Sequence, residues 1–502
     1  MPAATPALMI IGVVLLLALT VTVTVLTAGR RRSRRFDRLQ HHLATQKDLA
    51  GLRAPARKKE TKVLHPDAWR ELPPGQRVGL SVTSDRAWIL QGWRELGVFV
   101  FGPGRGKTSG VVSRRVIEAP GANLMTSNKV DGVAEVIAGR KGRGEMYLFD
   151  PNKIYRRTDT PDFVYNPLWD VHTKADAEEL AAIFEESTRK NGDRGGDAHF
   201  DTDGRNLLAY CFLAAALEDI PLATVYGWLA REEGHVAQEI LQRHGHNGPA
   251  TMIDGVDRSN ERTKNSVYVT AQRMATALAD DNLLAWTATP DVRTFDPSAF
   301  HASTDTMVLL SKGGAGSGSA LLTALVRAIC RNAERAAELN GGRLRVPMVL
   351  ELDECANTVQ WPELPTVYSY YGSMGIIIDT YFQSRAQGQG AFGKEGWQAL
   401  WDAASIRVFG GGSGDDEFLR SLSNLIGDHD EQAYSTSYTS GQRGSTSTST
   451  RKVATLEVKD LAALPEWRTI VFHSKLRPVI VETRPWFRDK DLTARISHGR
   501  TS

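Results

Sequence analysis

The sequence predicts an α/β fold with a central parallel sheet, a helical middle region and one N-terminal membrane-spanning helix. Three observations predict the α/β part. A β-branched and aromatic run, residues 97–101, leads into a glycine-rich turn. A second apolar run, residues 346–352, ends in an acidic pair, as a buried parallel strand can. Between them, much of residues 205–279 has the apolar spacing of helices and almost no strand-like alternation.

The composition is that of a large folded protein. Hydrophobic residues make up 41% and charged residues 24% of the 502 residues, which provides apolar surface for a large core and excludes a mainly disordered chain. The formal net charge of +3 hides an asymmetry, because residues 29–62 hold 12 Lys and Arg against 3 Asp and Glu. Three distant cysteines, Cys211, Cys330 and Cys355, indicate neither a disulfide framework nor a zinc site.

Residues 7–28 predict a single transmembrane helix. The stretch contains no charged residue, and at about 1.5 Å per residue its helix would be about 33 Å long, enough to cross a bilayer. A signal peptide is the alternative, but no Lys or Arg precedes the run, and the run exceeds the usual apolar length of a signal peptide. Arginines cluster in residues 30–35 and keep that flank in the cytoplasm. We therefore expect the N-terminus outside and the following chain in the cytoplasm.

The basic segment, residues 29–62, continues directly from this predicted helix. We interpret it as a topology signal and a solvated tether. Binding of anionic lipid head groups or of nucleic acid is the alternative for the same charges.

The turn after residue 101 has the composition of a phosphate-binding loop. In such loops, backbone N–H groups and a helix N-terminus surround phosphate oxygens, which larger side chains would obstruct. Lys107 would reach the β- and γ-phosphates, Thr108 would complete the coordination of Mg²⁺, and Ser109 would lie near the α-phosphate. The residues predicted to bind the nucleotide are Gly102, Gly104, Arg105, Gly106, Lys107, Thr108 and Ser109.

One position departs from the strict loop pattern. Phe101 stands where the pattern G-x-x-x-x-G-K-[ST] has its first glycine, and Gly102 follows one position late. Either the loop begins unusually or it is one residue short. A Gly/Pro turn that only happens to end in Gly-Lys-Thr is the alternative interpretation, and the preceding strand favours the nucleotide loop.

Asp353 and Glu354 follow the second apolar run, at the expected end of a central parallel strand. Asp353 would hold Mg²⁺ through water or through Thr108, and Glu354 would polarise an attacking water. A solvent-exposed acidic strand end is the alternative. Together with the Gly-Lys-Thr loop, the acidic pair makes a magnesium–nucleotide site the simplest joint interpretation.

Gln383 follows a third apolar run, residues 376–382. An amide at the end of a strand next to the acidic pair could sense the γ-phosphate and hold a water in line. Glutamine is common at strand ends, so Gln383 alone predicts no function. Only together with the glycine-rich loop and the acidic pair does it indicate a nucleotide site.

Taken together, these segments resemble the conjugative coupling proteins of type IV secretion, the TraG/TraD class within the HerA–FtsK group of P-loop ATPases. The resemblance covers nearly the whole chain after the basic segment. The segments that carry it are residues 98–109, Thr126-Ser127-Asn128-Lys129, 148–151, 165–168, 352–357, Gln383-Ser384 with Gln387, 422–427, 461–465 and 484–487.

The resemblance implies a RecA-like P-loop NTPase sheet with an inserted all-α domain, and ATP and Mg²⁺ as ligands. It also implies a DNA or relaxase–DNA substrate, type IV secretion channel components as partners, a hexameric homo-oligomer and a bacterial inner or plasma membrane location. The predicted parts are a transmembrane helix (7–28), a basic juxtamembrane linker (29–62), the nucleotide-binding domain in two pieces (63–170 and 301–490), the all-α domain (171–300) and a C-terminal tail (491–502).

The chain departs from the family pattern in two places. Members commonly carry two membrane helices, and only residues 7–28 qualify here. Many members place an arginine shortly before the glutamine-bearing strand, to act on a neighbour's nucleotide, and residues 369–375 contain no basic residue. Arg385 or Arg420 could serve instead.

We expect an ATP-dependent motor that couples DNA or nucleoprotein to a secretion channel, with Lys107, Glu354 and Gln383 in catalytic roles and Thr108 and Asp353 as metal ligands. The alternatives are a non-hydrolysing nucleotide-binding docking protein and an FtsK-like DNA pump or protein-export ATPase. Residues 435–450, rich in Ser and Thr, predict a mobile surface loop rather than a DNA-contacting pore loop.

Overall fold

The computed structural model describes residues 33–188, 198–312, 318–437 and 445–501. These residues form a mixed α/β fold around one large, mainly parallel sheet, which confirms the α/β part of the predicted fold class. The predicted membrane segment, residues 7–28, lies outside the described residues. Within the described ranges, no helix combines the length and the apolar composition that crossing a bilayer requires.

The strands include short, buried segments in the large sheet and two longer ones in a separate hairpin. They are β1 (Gln76–Ser81), β2 (Trp88–Gln91), β3 (Gly97–Val100), β4 (Asn123–Ser127), β5 (Met146–Phe149), β6 (Thr306–Leu310), β7 (Met348–Leu352), β8 (Ile376–Phe382), β9 (Ile406–Phe409), β10 (Asp428–Ser437), β11 (Ser445–Ala454), β12 (Arg468–His473) and β13 (Leu476–Glu482).

The large sheet has 11 strands in the order β2-β1-β13-β12-β9-β3-β8-β7-β4-β6-β5. The strands from β9 to β5 in this order run parallel, and β12, β13, β1 and β2 extend the sheet in antiparallel fashion. Because the carboxyl ends of parallel strands lie at one edge of a sheet, the segments that follow β3, β4, β7 and β8 meet there.

The central strands are buried on both faces. Every residue of β3, β4, β7 and β8 is buried. In β3, Val98 and Val100 belong to one apolar cluster, and Phe99 belongs to another that also includes Phe101, the next residue in the chain. Such continuous apolar runs, rather than polar alternation, are typical of parallel strands covered on both sides.

The helices fall into two stretches of the chain, divided by β6. Before β6 they are α1 (Ala54–Leu64), α2 (Ser113–Glu118), α3 (Val133–Arg140), α4 (Lys174–Thr188), α5 (Ala198–Leu217), α6 (Leu222–Ala230), α7 (Gly234–Arg243), α8 (Asn247–Asp257), α9 (Glu261–Met274), α10 (Asp281–Leu284) and α11 (Pro297–Phe300). After β6 they are α12 (Ser319–Leu339), α13 (Cys355–Thr358), α14 (Leu364–Val367), α15 (Tyr371–Met374), α16 (Arg385–Ala403), α17 (Asp416–Ile426), α18 (Val458–Ala462) and α19 (Lys490–Thr501).

The described elements between β5 and β6 are helical, apart from one isolated bridge between Val164 and Thr294. Helix α5 lies at the centre of this helical region, where Leu207, Phe212 and Leu213 are completely buried. A helix that is buried on several sides needs neighbours all round it, and α4, α6, α7, α8 and α9 pack against it. The proposed division of the chain into domains stays a prediction.

The Ser/Thr-rich run forms strands in the described part. β10 and β11 pair in antiparallel fashion from Asp428 and Ala454 to Ser437 and Ser445. The expectation of a mobile surface loop over residues 435–450 is therefore wrong for residues 435–437 and 445–450, which form strands; residues 438–444 lie outside the described residues. A hairpin ladder satisfies the backbone without apolar burial, and threonine favours extended backbone, so low hydrophobicity did not prevent strand formation.

The last helix, α19, packs against α3. Gly499 lies so close to α3 that a Cβ atom there would be 2.0 Å from the carbonyl oxygen of Ala138. Arg500 pairs with Glu135 of α3 at 2.9 Å. The predicted tail, residues 491–502, lies in this helix up to Thr501.

A polar network lies completely buried in the middle of the sheet. The Nε atom of Arg115 in α2 donates to Oε1 of Glu351 in β7 at 2.9 Å, and the same guanidinium pairs with Asp379 in β8. Tyr381 donates to Glu351, and Gln91 donates to Asp379 at 2.8 Å. Two buried carboxylates thus share one buried arginine, which fixes α2 against β7 and β8.

We predict that Glu351 makes the stability of the fold depend on pH. Burial raises the pKa of Glu351 from 4.5 to about 7, with Arg115 opposing the rise and Asp379 adding to it. A carboxyl group whose pKa is raised in the folded state stabilises the fold fully below pH 4.5, and this contribution is lost as the pH rises through about 7. The thermal midpoint of Glu351→Gln should therefore fall less between pH 5 and pH 8 than that of the parent chain.

The control is Glu395→Gln, because Glu395 is exposed in α16. Its thermal midpoint should follow the parent chain at each pH. An equal fall in the parent chain and in Glu351→Gln would contradict the prediction.

Candidate nucleotide-binding site

The three predicted motifs meet at the carboxyl edge of the parallel strands. Lys107 follows β3, Asp353 and Glu354 follow β7, and Gln383 follows β8. They line a cavity of about 620 Å³. The described residues around it are Phe101 to Ser109, Ser127 to Gly132, Ala134, Glu135, Asp353, Glu354, Gln383, Trp486 and Phe487. All predicted site residues therefore lie in one cavity, although the chain between the motifs is long.

The irregular glycine-rich loop is one residue short. The backbone N–H of Phe101 donates to the carbonyl oxygen of Phe382 at 2.9 Å, so Phe101 still continues the strand. The turn begins at Gly102, whose N–H donates to the carbonyl oxygen of Gly411 at 2.8 Å. The ring of Phe101 fits because Gly410 has no side chain: a Cβ there would lie 2.1 Å from the ring.

Two glycines of the loop have backbone conformations that other residues rarely adopt. Gly104 has φ of +70° and Gly106 has φ of +73°. A Cβ on Gly106 would also lie 2.4 Å from the indole ring of Trp467, which packs against the loop. Trp467 itself has φ of +61°, an uncommon value for a bulky residue. The glycine at position 106 therefore admits both the turn and the tryptophan.

The side chain of Arg105 connects the loop to neighbouring segments of the chain. Its guanidinium donates to the carbonyl oxygens of Gly410, Leu464 and Pro465 at 3.0, 2.8 and 3.0 Å. Hydrogen bonds from a charged donor are stronger than neutral ones, and these three join the loop to the segments after β9 and α18. The side chain of Arg105, predicted to bind the nucleotide, thus supports the loop in this structure.

Lys107 lies between the two carboxylates of the acidic pair. Its Nζ atom is 2.6 Å from Oδ1 of Asp353 and 2.8 Å from Oε1 of Glu354. The hydroxyl of Thr108 donates to Oδ2 of Asp353 at 3.3 Å. The lysine and both carboxylates are largely buried, so each depends on the others for its charge balance.

Gln383 completes the cluster from β8. Its Nε2 atom donates to both carboxylate oxygens of Glu354 at 3.0 Å. The backbone N–H of Gln383 donates to Oε1 of Gln387 at 2.7 Å, and Ser384 caps the helix that carries Gln387. Gln383 therefore connects Glu354 to the beginning of α16.

The backbone of the acidic pair is held in an unusual conformation. Glu354 has φ of +54°, which costs free energy for a residue with a side chain. Thr126 of β4 donates to the carbonyl oxygen of Asp353 at 2.8 Å, and Thr358 donates to it at 3.2 Å. These bonds fix the turn that directs both carboxylates into the cavity.

The three charged groups shift one another's pKa values. Burial opposes the charge of Lys107, but attraction to Asp353 and Glu354 outweighs it and raises the pKa of the lysine. Burial raises the pKa of Asp353, with Lys107 opposing the rise. Burial also acts to raise the pKa of Glu354, but Lys107 and the hydrogen bond from Gln383 lower it overall. Glu354 is therefore the carboxylate best able to stay ionised.

The donor set fits a phosphate group and a small hard cation. Thr108 and Asp353 place a hydroxyl and a carboxylate oxygen 3.3 Å apart, close to the roughly 3 Å between neighbouring oxygens around octahedral Mg²⁺ with bonds of about 2.1 Å. Lys107 and the loop N–H groups add positive charge. The amide oxygen of Asn128, a residue that lines the cavity, is buried and has no hydrogen-bond partner among the described residues. These residues can therefore accept a metal–phosphate ligand.

Sequence reasoning did not assign the aromatic residues at this site. Trp486 and Phe487 line the cavity, and Phe487 is 51% exposed. The ring of Phe487 lies edge-on to Trp467 and Trp486, with centroids 6.3 and 5.6 Å apart. The sequence signal that could have indicated them is the aromatic pair after the last strand. That pair was used only as part of the family resemblance.

The two arginines suggested as substitutes for the missing one are both paired. Arg385 contacts Asp415 at 2.9 Å and Glu417 at 2.7 Å. Arg420 contacts Asp416 at 2.7 Å and is 70% exposed in its side chain. Neither arginine is among the residues that line the cavity.

Comparison with known proteins identifies the class that the chain resembles. Residues 347–466 match the family model of the TraM recognition site of TraD and TraG. The unbound bacterial conjugative coupling protein TrwBdeltaN70 has a TM-score of 0.59 at 14% identity, covering 86% of this chain and 91% of that chain. No curated protein is significantly similar in sequence.

Two further TrwB structures contain nucleotides. TrwB in complex with ADP and Mg²⁺ has a TM-score of 0.56 at 14% identity, covering 78% of this chain and 85% of that chain. TrwB in complex with the ATP analogue ADPNP has a TM-score of 0.54 at 14% identity, covering 78% and 86%. The predicted resemblance to conjugative coupling proteins is confirmed, and these solved structures share the fold.

We predict that Arg105 stabilises the loop. Arg105→Met removes three charge-assisted hydrogen bonds, which should lower the free energy of local opening by about 1–3 kcal/mol. Amide hydrogen exchange of residues 102–106 should then be roughly 5- to 150-fold faster. Mass spectrometry of the exchanged peptides measures this rate. Arg86→Met is the control, since Arg86 forms an exposed pair with Glu482; unchanged exchange in Arg105→Met would contradict the assignment.

Proposed function

We propose that this chain is a membrane-anchored, ATP-dependent coupling protein that brings DNA or nucleoprotein to a type IV secretion channel. The observation that carries the proposal is the cluster of Lys107, Asp353, Glu354 and Gln383 at the carboxyl edge of a parallel sheet. Three segments far apart in the sequence supply these groups. A RecA-like P-loop sheet with an inserted helical domain, assembled as a hexamer, is the architecture we propose for the working protein.

The site residues have distinct proposed roles. Mg²⁺, when bound with ATP, would neutralise phosphate charge and orient the γ-phosphate. Thr108 and Asp353 supply oxygen ligands for the metal. Lys107 exchanges its carboxylate partners for phosphate oxygens, and the N–H groups of residues 104–109 bind the remaining oxygens.

Glu354 and Gln383 act on the attacking water. When Lys107 binds phosphate, the hydrogen bonds from Gln383 still favour the ionised carboxylate of Glu354, which can accept a hydrogen bond from water and orient it. Gln383 holds that carboxylate through both oxygens and leads into α16. A change of charge in the cavity would therefore move Glu354 and the Gln383 side chain bonded to it, and Gln383 would pass this movement on to α16.

The family match supports the proposed partners. Residues 347–466, which match the TraM recognition site of TraD and TraG, contain both the acidic pair and the hairpin of β10 and β11. A DNA or relaxase–DNA complex and components of the secretion channel are the proposed partners. The membrane anchor rests on residues 7–28, which would place the nucleotide site in the cytoplasm of a single-pass inner or plasma membrane protein.

Two alternatives belong to other classes. A docking protein that binds nucleotide without hydrolysis is favoured by the shortened loop and by the absence of a basic residue from residues 369–375. An FtsK-like DNA pump or a protein-export ATPase would use the same site on another cargo. Crosslinking of cargo to the chain in cells distinguishes these last two from the coupling protein.

We predict DNA-stimulated ATP hydrolysis by the full chain in detergent. Lys107→Ala and Glu354→Gln should each lower the steady-state rate by about 100-fold or more, because they remove phosphate neutralisation and water orientation. Lys394→Ala and Glu395→Gln are matched controls, since both residues are exposed in α16. A parent chain that binds Mg–ATP but hydrolyses none with DNA present would support the docking protein instead.

We predict that Phe487 contacts the nucleotide base. Stacking on an aromatic ring is worth about 1–3 kcal/mol per base, so Phe487→Ala should weaken ATP binding roughly 5- to 150-fold. Binding of inorganic tripolyphosphate, which has no base, should not change. Calorimetric titration measures both affinities. Phe487→Tyr should retain ATP binding, and Leu425→Ala serves as control because Leu425 is equally exposed elsewhere; equal losses for ATP and tripolyphosphate would contradict the prediction.

A further inference from the structure

A second cavity, of about 720 Å³, lies away from the nucleotide site. Pro120 and Arg143 line it just before β4 and β5 begin, so it lies at the amino edge of the parallel strands. The residues that line it are Ala54, Glu71 to Arg77, Trp88, Leu90, Trp93, Arg115, Glu118, Pro120, Arg143 and Arg495. Nothing in the proposed nucleotide chemistry uses this cavity.

Two guanidinium groups at this cavity have no partner among the described residues. Arg143 lies exposed in the loop between α3 and β5. Its side chain makes no hydrogen bond or ion pair with any described residue. Arg495 in α19 is half-buried, and its Nη2 atom is buried without a hydrogen-bond partner. A buried charged donor without an acceptor costs free energy, which an anionic ligand would recover.

A third arginine adds to the positive charge. Arg140 is completely buried, and its guanidinium donates to Ala119 O at 2.8 Å, Gly121 O at 3.3 Å, Thr304 O at 2.7 Å and Thr306 Oγ1 at 2.9 Å. In the part of the chain that the structure describes, it forms no ion pair with a carboxylate. Burial, and then repulsion from Arg143, lower the pKa of Arg140 and of Arg495 to about 10.

Acidic residues offset these arginines only in part: Glu118 attracts Arg495 and Asp305 attracts Arg140, but burial and the repulsion from Arg143 outweigh both attractions. Glu118 pairs with Arg77 at 2.9 Å and with Arg114 at 3.2 Å. Arg115, in the wall, is already paired with two carboxylates inside the sheet. Glu71 is the remaining carboxylate, and it is exposed and makes no ion pair in the described part of the chain. The cavity therefore keeps an excess of positive charge.

We propose that this cavity binds a phosphate group between Arg143 and Arg495. Guanidinium forks bind oxyanions in bidentate fashion, and a tetrahedral phosphate offers enough oxygens for two forks at once. A nucleoside is disfavoured, because the ring of Trp88 already has Arg77 and Arg114 stacked at 5.0 and 5.1 Å. The inference goes beyond the nucleotide site and does not depend on it.

Free phosphate and a phospholipid head group share this chemistry. One wall of the cavity, residues 71–77, lies shortly after α1, and α1 up to residue 62 belongs to the basic segment predicted to follow the membrane helix. A lipid head group is therefore available near the cavity if the anchor exists. The experiment must distinguish the two sources from each other and from phosphate bound at the nucleotide loop.

The test is thermal unfolding of the full chain in detergent with different anions at matched ionic strength. Inorganic phosphate should raise the midpoint by about 2–4 °C at saturation, and acetate should not. Short-chain dihexanoyl phosphatidylglycerol should act like phosphate if the head group is the ligand, whereas dihexanoyl phosphatidylcholine tests for a general lipid effect. Lys107→Ala should keep the part of the shift that does not come from the nucleotide loop. Arg143→Gln and Arg495→Gln should each abolish that part and leave Mg–ADP binding unchanged.

Each outcome decides the proposal. A shift that Arg143→Gln and Arg495→Gln each reduce by the part that Lys107→Ala keeps supports it. A shift with phosphatidylglycerol alone, equally dependent on these arginines, assigns the head group as the source. A shift that is lost completely in Lys107→Ala, or that both arginine variants keep in full, overturns the proposal, as does the absence of any shift. Because Arg143 lies in an exposed loop, Arg143→Gln gives the result even if Arg495→Gln unfolds.

Discussion

The ion cluster of Lys107, Asp353 and Glu354 is the interaction on which the rest of the structure depends. Burying a lysine and two carboxylates away from water is unfavourable unless each charge is paired at short distance. That requirement brings the glycine-rich loop to the end of β7, although the two are far apart in the chain. The same electrostatics explain why the site suits phosphate and Mg²⁺. Phosphate oxygens can replace the carboxylates as partners of Lys107, and Mg²⁺ can replace Lys107 as the partner of the carboxylates.

The parallel sheet makes this cluster possible and the buried network keeps it in place. Strands β3, β7 and β8 end at one edge, so three separate segments present their side chains to one cavity. Beneath that edge, Arg115 binds Glu351 and Asp379, which precede Asp353 and Gln383 in their strands. The helix after the loop is thereby fixed to both strands, and movement of one element must displace the others.

Local patterns predicted the elements of the site, and long-range packing determined its details. The apolar runs, the glycines and the acidic pair follow rules of strand and loop formation, so the sequence predicts them. The short loop could be explained only with Gly410, which admits the ring of Phe101 from a distant strand end. The positions of Trp467 and Arg105 depend in the same way on segments far along the chain. The Ser/Thr-rich hairpin was missed because composition reports hydrophobicity, not backbone pairing.

The central claim is that a metal–triphosphate binds where Lys107 now meets the acidic pair. The most direct measurement is a structure of the chain with Mg²⁺ and a non-hydrolysable ATP analogue. The account predicts phosphate oxygens against the N–H groups of residues 104–109, Lys107 separated from Asp353, and the metal between Asp353 and Thr108. Density for the analogue at another place, or an unchanged contact of Lys107 with Asp353 beside bound analogue, would contradict it.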